Sequence, residues 1–153
     1  MAMRRFGLTF QISRDLMALM SKDIRASLEQ SRTSVTKLVF PNTTNHHGTL
    51  FGGTLMQWMD EVAFIACTRL LRQKVVTVSM DKIDFKTPLP EGTIVELVAK
   101  VVHVGTTSLG VRVQVFRENM YDDERELAVT GHLTFVAVSE QRKPIPLSIH
   151  GDD

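Results

Sequence analysis

The sequence has almost no cysteine, no long apolar run and no metal-binding motif, which argues against a disulfide-linked protein, a membrane-spanning protein and a metalloprotein. Its 153 residues include one cysteine, one tryptophan and one tyrosine. A lone cysteine cannot form an internal disulfide, so we expect a reducing, cytoplasmic compartment. No apolar run approaches the ~18 residues that a membrane-spanning helix needs. Since no metal-binding or phosphate-loop motif is present either, we expect no metal, no cofactor and no membrane span.

Charge of one sign is not in excess. Lysine and arginine together number 18 against 17 acidic residues, which gives a formal net charge of +1. Proteins that bind nucleic acid usually carry a concentrated basic patch, so this balance argues against a nucleic-acid partner. The length is that of one domain with a core of its own.

The first 33 residues are the least informative part of the chain. Met1–Met20 contains three arginines and one acid, which superficially resembles an organelle transit peptide, but its apolar positions are ragged. We favour an amino-terminal extension, or a true start at Met20. The stretch Arg14–Gln30 has apolar residues near helical spacing and predicts a short amphipathic helix.

One long helix is predicted in the rest of the chain. Thr54–Arg72 has apolar residues at three- and four-residue steps, which is the pattern of a helix with one packed face. Its other side carries Trp58, Phe64 and Ile65. Because the helix is apolar nearly all round, we expect it to be buried.

Five segments have the β-branched composition and the alternation that are typical of strands. They are Ser34–Phe40, Val75–Lys86, Thr93–Val104, Thr107–Arg117 and Glu126–Val138. Short turn-forming breaks between them predict antiparallel connections. A helix that is apolar all round is buried only if such a sheet wraps it, so we predict an α+β hotdog fold, with a long central helix and a curved antiparallel sheet of about five strands. We place this domain at 34–147, with an extension at 1–33 and a tail at 148–153, and expect Glu140–Asp153 to be loosely ordered.

Asp60 is the best candidate for a catalytic residue. It lies in the middle of the apolar helix, where an aspartate is unfavourable and an unpaired buried carboxylate costs several kcal/mol. It could pair with Arg69 or Lys86, or it could act as a general base or nucleophile. Gly53 precedes it by seven residues, close to two turns, so both share a face.

The two glycines before this helix open its amino-terminal end. Glycine lets a ligand approach the backbone closely, and the first amides of a helix have no partner inside it. Together with the helix dipole, the amides at Gly52-Gly53 form a suitable site for a carbonyl oxygen that gains negative charge. A tight turn with a glycine N-cap is the alternative interpretation.

Three other side chains could react chemically. Cys67 lies in the apolar stretch Val62–Leu71, where a buried and inert thiol is the favoured interpretation. His46 and His47 could act as acid or base near neutral pH, although adjacent loop histidines are more often incidental.

The run Asn45-x-x-Gly48-x-x-Phe51-Gly52-Gly53-x-x-Met56-x-x-Met59-Asp60 resembles the signature of the brain-type and bacterial YciA-like acyl-CoA thioester hydrolases. The strand at Val75–Val78 and the turn at Gly105–Ser108 match that group in order and spacing. The resemblance extends over Ser34–Leu147, most of the chain.

This resemblance implies an acyl-CoA thioesterase that releases free fatty acid and CoA. Asp60 would act as general base or nucleophile, Asn45 would position water or substrate, and the amide of Gly53 would polarise the thioester carbonyl. The site would lie at a homodimer interface, with the Asn and the Asp from different protomers, and the dimers would assemble into a trimer of dimers, a hexamer. The expected substrate-binding residues are Gly52, Thr106, Thr107, Ser108 and Lys86. Arg142 and Lys143 are further candidates for the CoA phosphates.

Two alternatives remain open. A hotdog enoyl-thioester hydratase needs an acid/base pair that includes a histidine, and no histidine follows Asp60 until His103. A non-catalytic acyl-CoA-binding regulator needs a DNA-binding helix-turn-helix, and the first 33 residues offer at most one good helix. An α/β-hydrolase serine mechanism lacks its Gly-x-Ser-x-Gly motif.

Overall fold

The structure of the protein is a computed structural model that describes residues 22–149. Met20 and most of the predicted extension lie outside the described residues, as do positions 150–153. Of the amphipathic helix predicted over Arg14–Gln30, the described part is a helix, α1, at Lys22–Ser31. Within the described residues, no helix is long and apolar enough to cross a membrane, and no cluster of three or more metal-binding side chains occurs.

The remaining elements are one long helix and five strands. The helix, α2, spans Gly52–Leu71, and a 3-10 turn lies at Pro41–Thr43. The strands are β1 Thr33–Leu38, β2 Val75–Phe85, β3 Ile94–Val104, β4 Ser108–Glu118 and β5 Arg125–Ala137. They form one antiparallel sheet in the order β1-β3-β4-β5-β2, so β2 is an edge strand. This confirms the predicted fold class and strand count.

The core lies between α2 and the inner face of the sheet. Alternation along the central strands puts their apolar side chains on that face, as in β4, where Val111, Val113 and Val115 are fully buried. Val62 and Ala66 are among the α2 residues that pack against them. Cys67 is fully buried in the same core, and this burial raises the pKa of its thiol to about 12. The prediction of a buried thiol is confirmed, and its inertness stays a prediction that the raised pKa favours.

The prediction that the sheet buries the whole helix is wrong for the single chain. On α2, Phe64 and Ile65 are 44% and 41% exposed, although the Phe64 ring centroid lies 6.4 Å from that of the buried Phe135. Val76 and Val78 on the edge strand are 39% and 53% exposed. A helix has two sides, and one five-stranded sheet covers only one of them. Among residues 22–149, an apolar surface on α2 and β2 therefore remains unpartnered.

The segment after β5 is ordered to residue 149, contrary to the loosely ordered tail predicted from Glu140. Ile145 donates a backbone hydrogen bond to Ala137, and Leu147 donates one to Thr106. The side-chain amide of Gln73 bonds the backbone on either side of Leu147, at Pro146 and Ser148. Apolar side chains at alternate positions of this segment pack against the core, which is why proline and glycine content alone misled the prediction.

Strand β2 carries two irregularities that decide which side chains face α2. Residue 78 is one extra residue between the pairs Thr77 with Phe135 and Ser79 with Thr134. A second extra residue lies between the pairs that Asp81 and Asp84 make with β5. Here Lys82 has a φ of 49°, in the left-handed region that non-glycine residues rarely occupy. Each bulge shifts the alternation of the strand by one residue.

Candidate active site

Asp60 lies half-buried on α2 and receives a hydrogen bond from the edge strand. Thr77 Oγ1 donates to Asp60 Oδ1 at 2.7 Å. Within residues 22–149, no ion pair includes Asp60. The suggested partner Arg69 instead donates to Arg32 and Thr33. The carboxylate is thus oriented by a neutral hydroxyl and keeps its second oxygen open to other groups.

Thr77 is the residue of this site that the sequence did not reveal. It lies in a run of strand-forming residues, where threonine is common for its β-branched shape alone. Thr77 points toward α2 because it pairs with Phe135, whose side chain is fully buried in the core. The sequence contained one indication of this role: a hydroxyl group two residues after Val75, on the same face of the strand.

The amino-terminal end of α2 is open. Its N-cap residue is Phe51, which offers no side-chain acceptor, and the first amide bonded to the helix is that of Leu55. Within the described residues, the amides of Gly52, Gly53 and Thr54 have no hydrogen-bond acceptor. The helix thus begins two residues earlier than predicted, and the glycine N-cap alternative is wrong.

Glycine at position 53 is not required by packing within the chain. A methyl group added to Gly53 would have no described atom within 4 Å, and one added to Gly52 would lie 3.9 Å from Phe85 Cζ. Gly53 and Asp60 are seven residues apart, about 10 Å along the helix axis. Side chains on a helix tilt toward its amino-terminal end, which brings the carboxylate closer to the open amides.

Asn45 is held by a turn that leaves its amide nitrogen as a donor. Asn45 Oδ1 accepts from the backbone amides of His47 at 2.9 Å and Thr49 at 3.3 Å, and from Thr49 Oγ1 at 3.2 Å. These donors fix the orientation of the side-chain amide. Within the described residues, Nδ2 has no acceptor, and no hydrogen bond joins Asn45 to Asp60.

His46 and His47 are exposed beside Asn45. Their ring centroids are 3.8 Å apart, in a tilted arrangement. Neither imidazole makes a hydrogen bond to another described residue. The incidental interpretation of these histidines stays a prediction.

The turn Gly105–Ser108 lies at the Thr77 end of the sheet. Leu109, the next residue, pairs with Phe135, and Phe135 pairs with Thr77. At ~4.8 Å between neighbouring strands, the turn begins roughly 10 Å across the sheet from Thr77. Thr106 and Thr107 use their carbonyls to hold Leu147 and Ala137, so the segment that carries Arg142 and Lys143 returns to the same end.

Lys86 lies at the opposite end of the site. It follows Phe85, the last residue of β2, whose ring contacts the start of α2. The turn Gly105–Ser108 is near the first residues of β2. Within one chain, the structure therefore does not bring Lys86 together with the other predicted substrate-binding residues Thr106, Thr107 and Ser108.

One long helix packed in a five-stranded antiparallel sheet of order β1-β3-β4-β5-β2 defines a hotdog protein. Residues 47–123 match the family model of the thioesterase superfamily. A protein of Bacillus subtilis named an uncharacterized acyl-CoA thioester hydrolase, YkhA, is 44% identical over 119 residues, which cover 78% of this chain and 69% of that protein. The chain belongs to the thioesterase superfamily.

The chain is also similar to solved structures of acyl-CoA hydrolases. The acyl-CoA hydrolase of Staphylococcus aureus, solved with butyryl coenzyme A, coenzyme A and coenzyme A disulfide, is 38% identical with a TM-score of 0.76, over 82% of this chain and 77% of that one. A hexameric acyl-CoA thioesterase is 42% identical with a TM-score of 0.76, over 80% and 78%. Alanine variants of a threonine, an asparagine and an aspartate of the Staphylococcus protein have also been solved.

Proposed function

We propose that the chain hydrolyses acyl-CoA thioesters to a free fatty acid and CoA, with Asp60 as the general base or nucleophile. The observation that carries this proposal is the hydrogen bond from Thr77 to Asp60, on a helix whose amino-terminal amides are open. A carboxylate that a hydroxyl orients, and that forms no ion pair among the described residues, is available to accept a proton or to attack a carbonyl carbon.

The Staphylococcus variants support this assignment. In that protein the substituted asparagine precedes the aspartate by 15 residues, and the threonine follows the aspartate by 17. The same two spacings separate Asn45, Asp60 and Thr77 in this chain. The spacing is specific because the three residues come from a loop, a helix and a strand.

The reaction can follow two routes that use the same groups. As a general base, Asp60 takes a proton from water while the water oxygen attacks the thioester carbon. As a nucleophile, its carboxylate attacks that carbon, and water then cleaves the resulting anhydride. In both routes the carbon–sulfur bond breaks, CoA leaves as a thiolate that takes up a proton, and the acid is released.

The open amides of α2 supply the electrostatic part of the proposal. Negative charge develops on the carbonyl oxygen as the tetrahedral intermediate forms, and a donor aimed at that oxygen stabilises it. The amide of Gly53 is solvent-exposed, has no acceptor among the described residues, and lies at the positive end of the helix dipole. Gly52 keeps the approach to it clear.

We also propose that two copies of the chain build each site. Asn45 presents a free amide donor and, among the described residues, makes no hydrogen bond to Asp60 of its own chain, which supports a site in which the second copy supplies this donor. The unpartnered apolar surface on Phe64, Ile65 and the edge strand is suited to that copy. Three such dimers would give a hexamer like those of the related thioesterases.

CoA is proposed to enter from the end of the sheet where the turn Gly105–Ser108 lies. Thr106, Thr107 and Ser108 lie at the same end of the sheet as Thr77, and the segment with Arg142 and Lys143 reaches that end too. Lys86 could serve the phosphates only from the second copy. A cytoplasmic location fits an intact, unpaired Cys67.

The test is thiol release from acyl-CoA, followed with a thiol reagent. Wild type should release CoA, and Asp60→Asn should lower kcat by about a thousandfold, as expected for loss of a general base. The matched control is Glu61→Gln. Glu61 is the adjacent exposed acid, which bonds only Gln57 among the described residues, and its variant should retain activity. Unchanged turnover in Asp60→Asn would overturn the assignment.

A further inference from the structure

Phe85 is the last residue of β2, and its ring lies over the start of α2. A methyl group on Gly52 would be 3.9 Å from Phe85 Cζ, so ring and helix backbone are close neighbours. Yet 54% of Phe85 is exposed. Phe51 and Met56 at the same end of α2 are exposed as well, and a group of exposed apolar side chains is typical of a binding surface.

The bulge at Lys82 puts the ring there. Asp84 pairs with Thr130, on the outer face of the sheet, and Phe85 pairs with Val129, which is fully buried on the inner face. If the same residues formed a regular strand with no bulge, the alternation after Asp81 would be the opposite, because each later residue would pair one position further along β5. Phe85 would point outward, and the carboxylate of Asp84 would face α2.

The bulge therefore does two things at the helix terminus. It keeps a carboxylate away from the place where an oxyanion would develop, and it supplies an aromatic ring instead. The left-handed φ of 49° at Lys82 is the cost, of order 1–3 kcal/mol for a non-glycine residue. Such strained positions cluster at functional sites.

The surface that Phe85 joins is apolar. Met56 follows Gly52 by four residues and so shares its face of α2, and it is also exposed. Phe51, the N-cap residue, is half-exposed at the same terminus. Within the described residues, no charged side chain bonds to any of these three. An apolar surface of these three side chains suits a hydrocarbon chain better than it suits pantetheine, whose two amides need hydrogen-bond partners.

We propose that Phe85 is a specificity-determining residue that contacts the first methylene groups of the acyl chain. This inference rests on the proposed function, in which the carbonyl lies between Gly53 and Asp60 and CoA enters from the turn Gly105–Ser108. That turn is at the far end of β2 from Phe85. The acyl chain, on the other side of the carbonyl, then runs past the ring.

The test compares Phe85→Ala and Phe85→Leu with wild type on acetyl-, butyryl-, octanoyl- and palmitoyl-CoA. Phe85→Ala should lower kcat/KM little for acetyl-CoA and about tenfold or more for octanoyl-CoA, since contacts to single methylene groups are worth ~10-fold or more. Phe85→Leu should lose less. Tyr121→Ala, at an exposed aromatic residue in the turn between β4 and β5, should leave the profile unchanged.

Other outcomes count against the inference. An equal loss for all four substrates would mean that the ring contacts pantetheine or supports the fold. A change of oligomeric state in a Phe85 variant, measured by light scattering, would mean that the ring lies at the interface between copies. Failure of wild type to cleave any acyl-CoA would instead overturn the proposed function.

Discussion

Thr77 Oγ1 lies 2.7 Å from Asp60 Oδ1 and ties the edge strand of the sheet to the middle of the central helix. This hydrogen bond joins Asp60, which the sequence identified as the best catalytic candidate, to Thr77, which it did not identify. Since Thr77 is part of an edge strand with a bulge one residue later, the position of the carboxylate depends on how that strand is paired.

We expect Thr77→Ala to lower kcat about tenfold with little change in KM, because Asp60 would lose the donor that orients it. A hydrogen bond to a charged group contributes about 1.5–3 kcal/mol. Thr77→Ser retains the hydroxyl and should recover most of the activity. If alanine and serine behave alike in steady-state kinetics, the side chain acts through packing and the positioning role is wrong.

Gly53→Ala should lower activity without lowering stability. A methyl group there has no described neighbour within 4 Å, and alanine favours helix over glycine by up to about 1 kcal/mol. The variant should therefore unfold in urea at the same or a higher midpoint. Its kcat/KM should fall about tenfold or more, because the methyl group obstructs approach to the amide.

The control for that prediction is Asp123→Ala, an exposed site in the turn between β4 and β5 and outside the proposed site. It should leave kcat/KM within about twofold of wild type, as expected for a surface position. Full activity in Gly53→Ala would mean that no ligand approaches this amide closely.

Cys67 should make the stability of the protein depend on pH above neutrality. Burial raises the pKa of its thiol from 9.0 to about 12 in the folded state. As pH rises past 9, the unfolded chain loses this proton and the folded chain keeps it. The thiol's contribution is fully present below pH 9 and is lost as pH rises toward 12, by about 1.4 kcal/mol per pH unit.

The measurement compares urea unfolding of wild type and Cys67→Ala at pH 8 and pH 10. The free energy of unfolding of wild type should fall by about 1.4 kcal/mol more than that of the variant over this interval. Parallel changes would mean that the thiol ionises as easily in the folded protein. The folded thiol should also be inert to the reagent that detects released CoA, which keeps that assay clean.

Most of the fold could be predicted from sequence because periodicity is a local property. Alternation in Ser108–Glu118 and helical spacing in Gly52–Leu71 each identify their element within one or two residues at most ends. What periodicity cannot indicate is which surface covers an apolar face. Phe64 and Ile65 were expected under the sheet of their own chain and are exposed instead.

The residues of the candidate site also differ in whether the sequence could predict them. Asp60 and Gly53 stand out because each is unusual in its local context, an acid in an apolar helix and a glycine at a helix start. Thr77 and Phe85 do not, since threonine and phenylalanine are ordinary strand residues. The orientation of Phe85 depends on the bulge at Lys82, and a bulge depends on register with β5, which no short window of sequence contains. Thr77 follows regular alternation from Val75, but its role depends on contact with Asp60 of a distant helix.

Sites shared between two copies can be tested by mixing two inactive variants. Asn45→Ala and Asp60→Asn should each be inactive alone. In a mixed dimer, one site combines both substitutions, and the other combines the intact Asn45 of one copy with the intact Asp60 of its partner. Co-expression with two affinity tags and tandem purification should therefore give a species with about half the wild-type kcat per dimer. If Asn45 served the Asp60 of its own chain, both sites would carry one substitution and the mixed dimer would stay inactive.

The matched control pairs wild type with a double variant that carries both substitutions in one chain. If the sites are shared, each of the two sites in this dimer carries one substitution, so the dimer should be inactive. If each site were built within one chain, the dimer would be about half active.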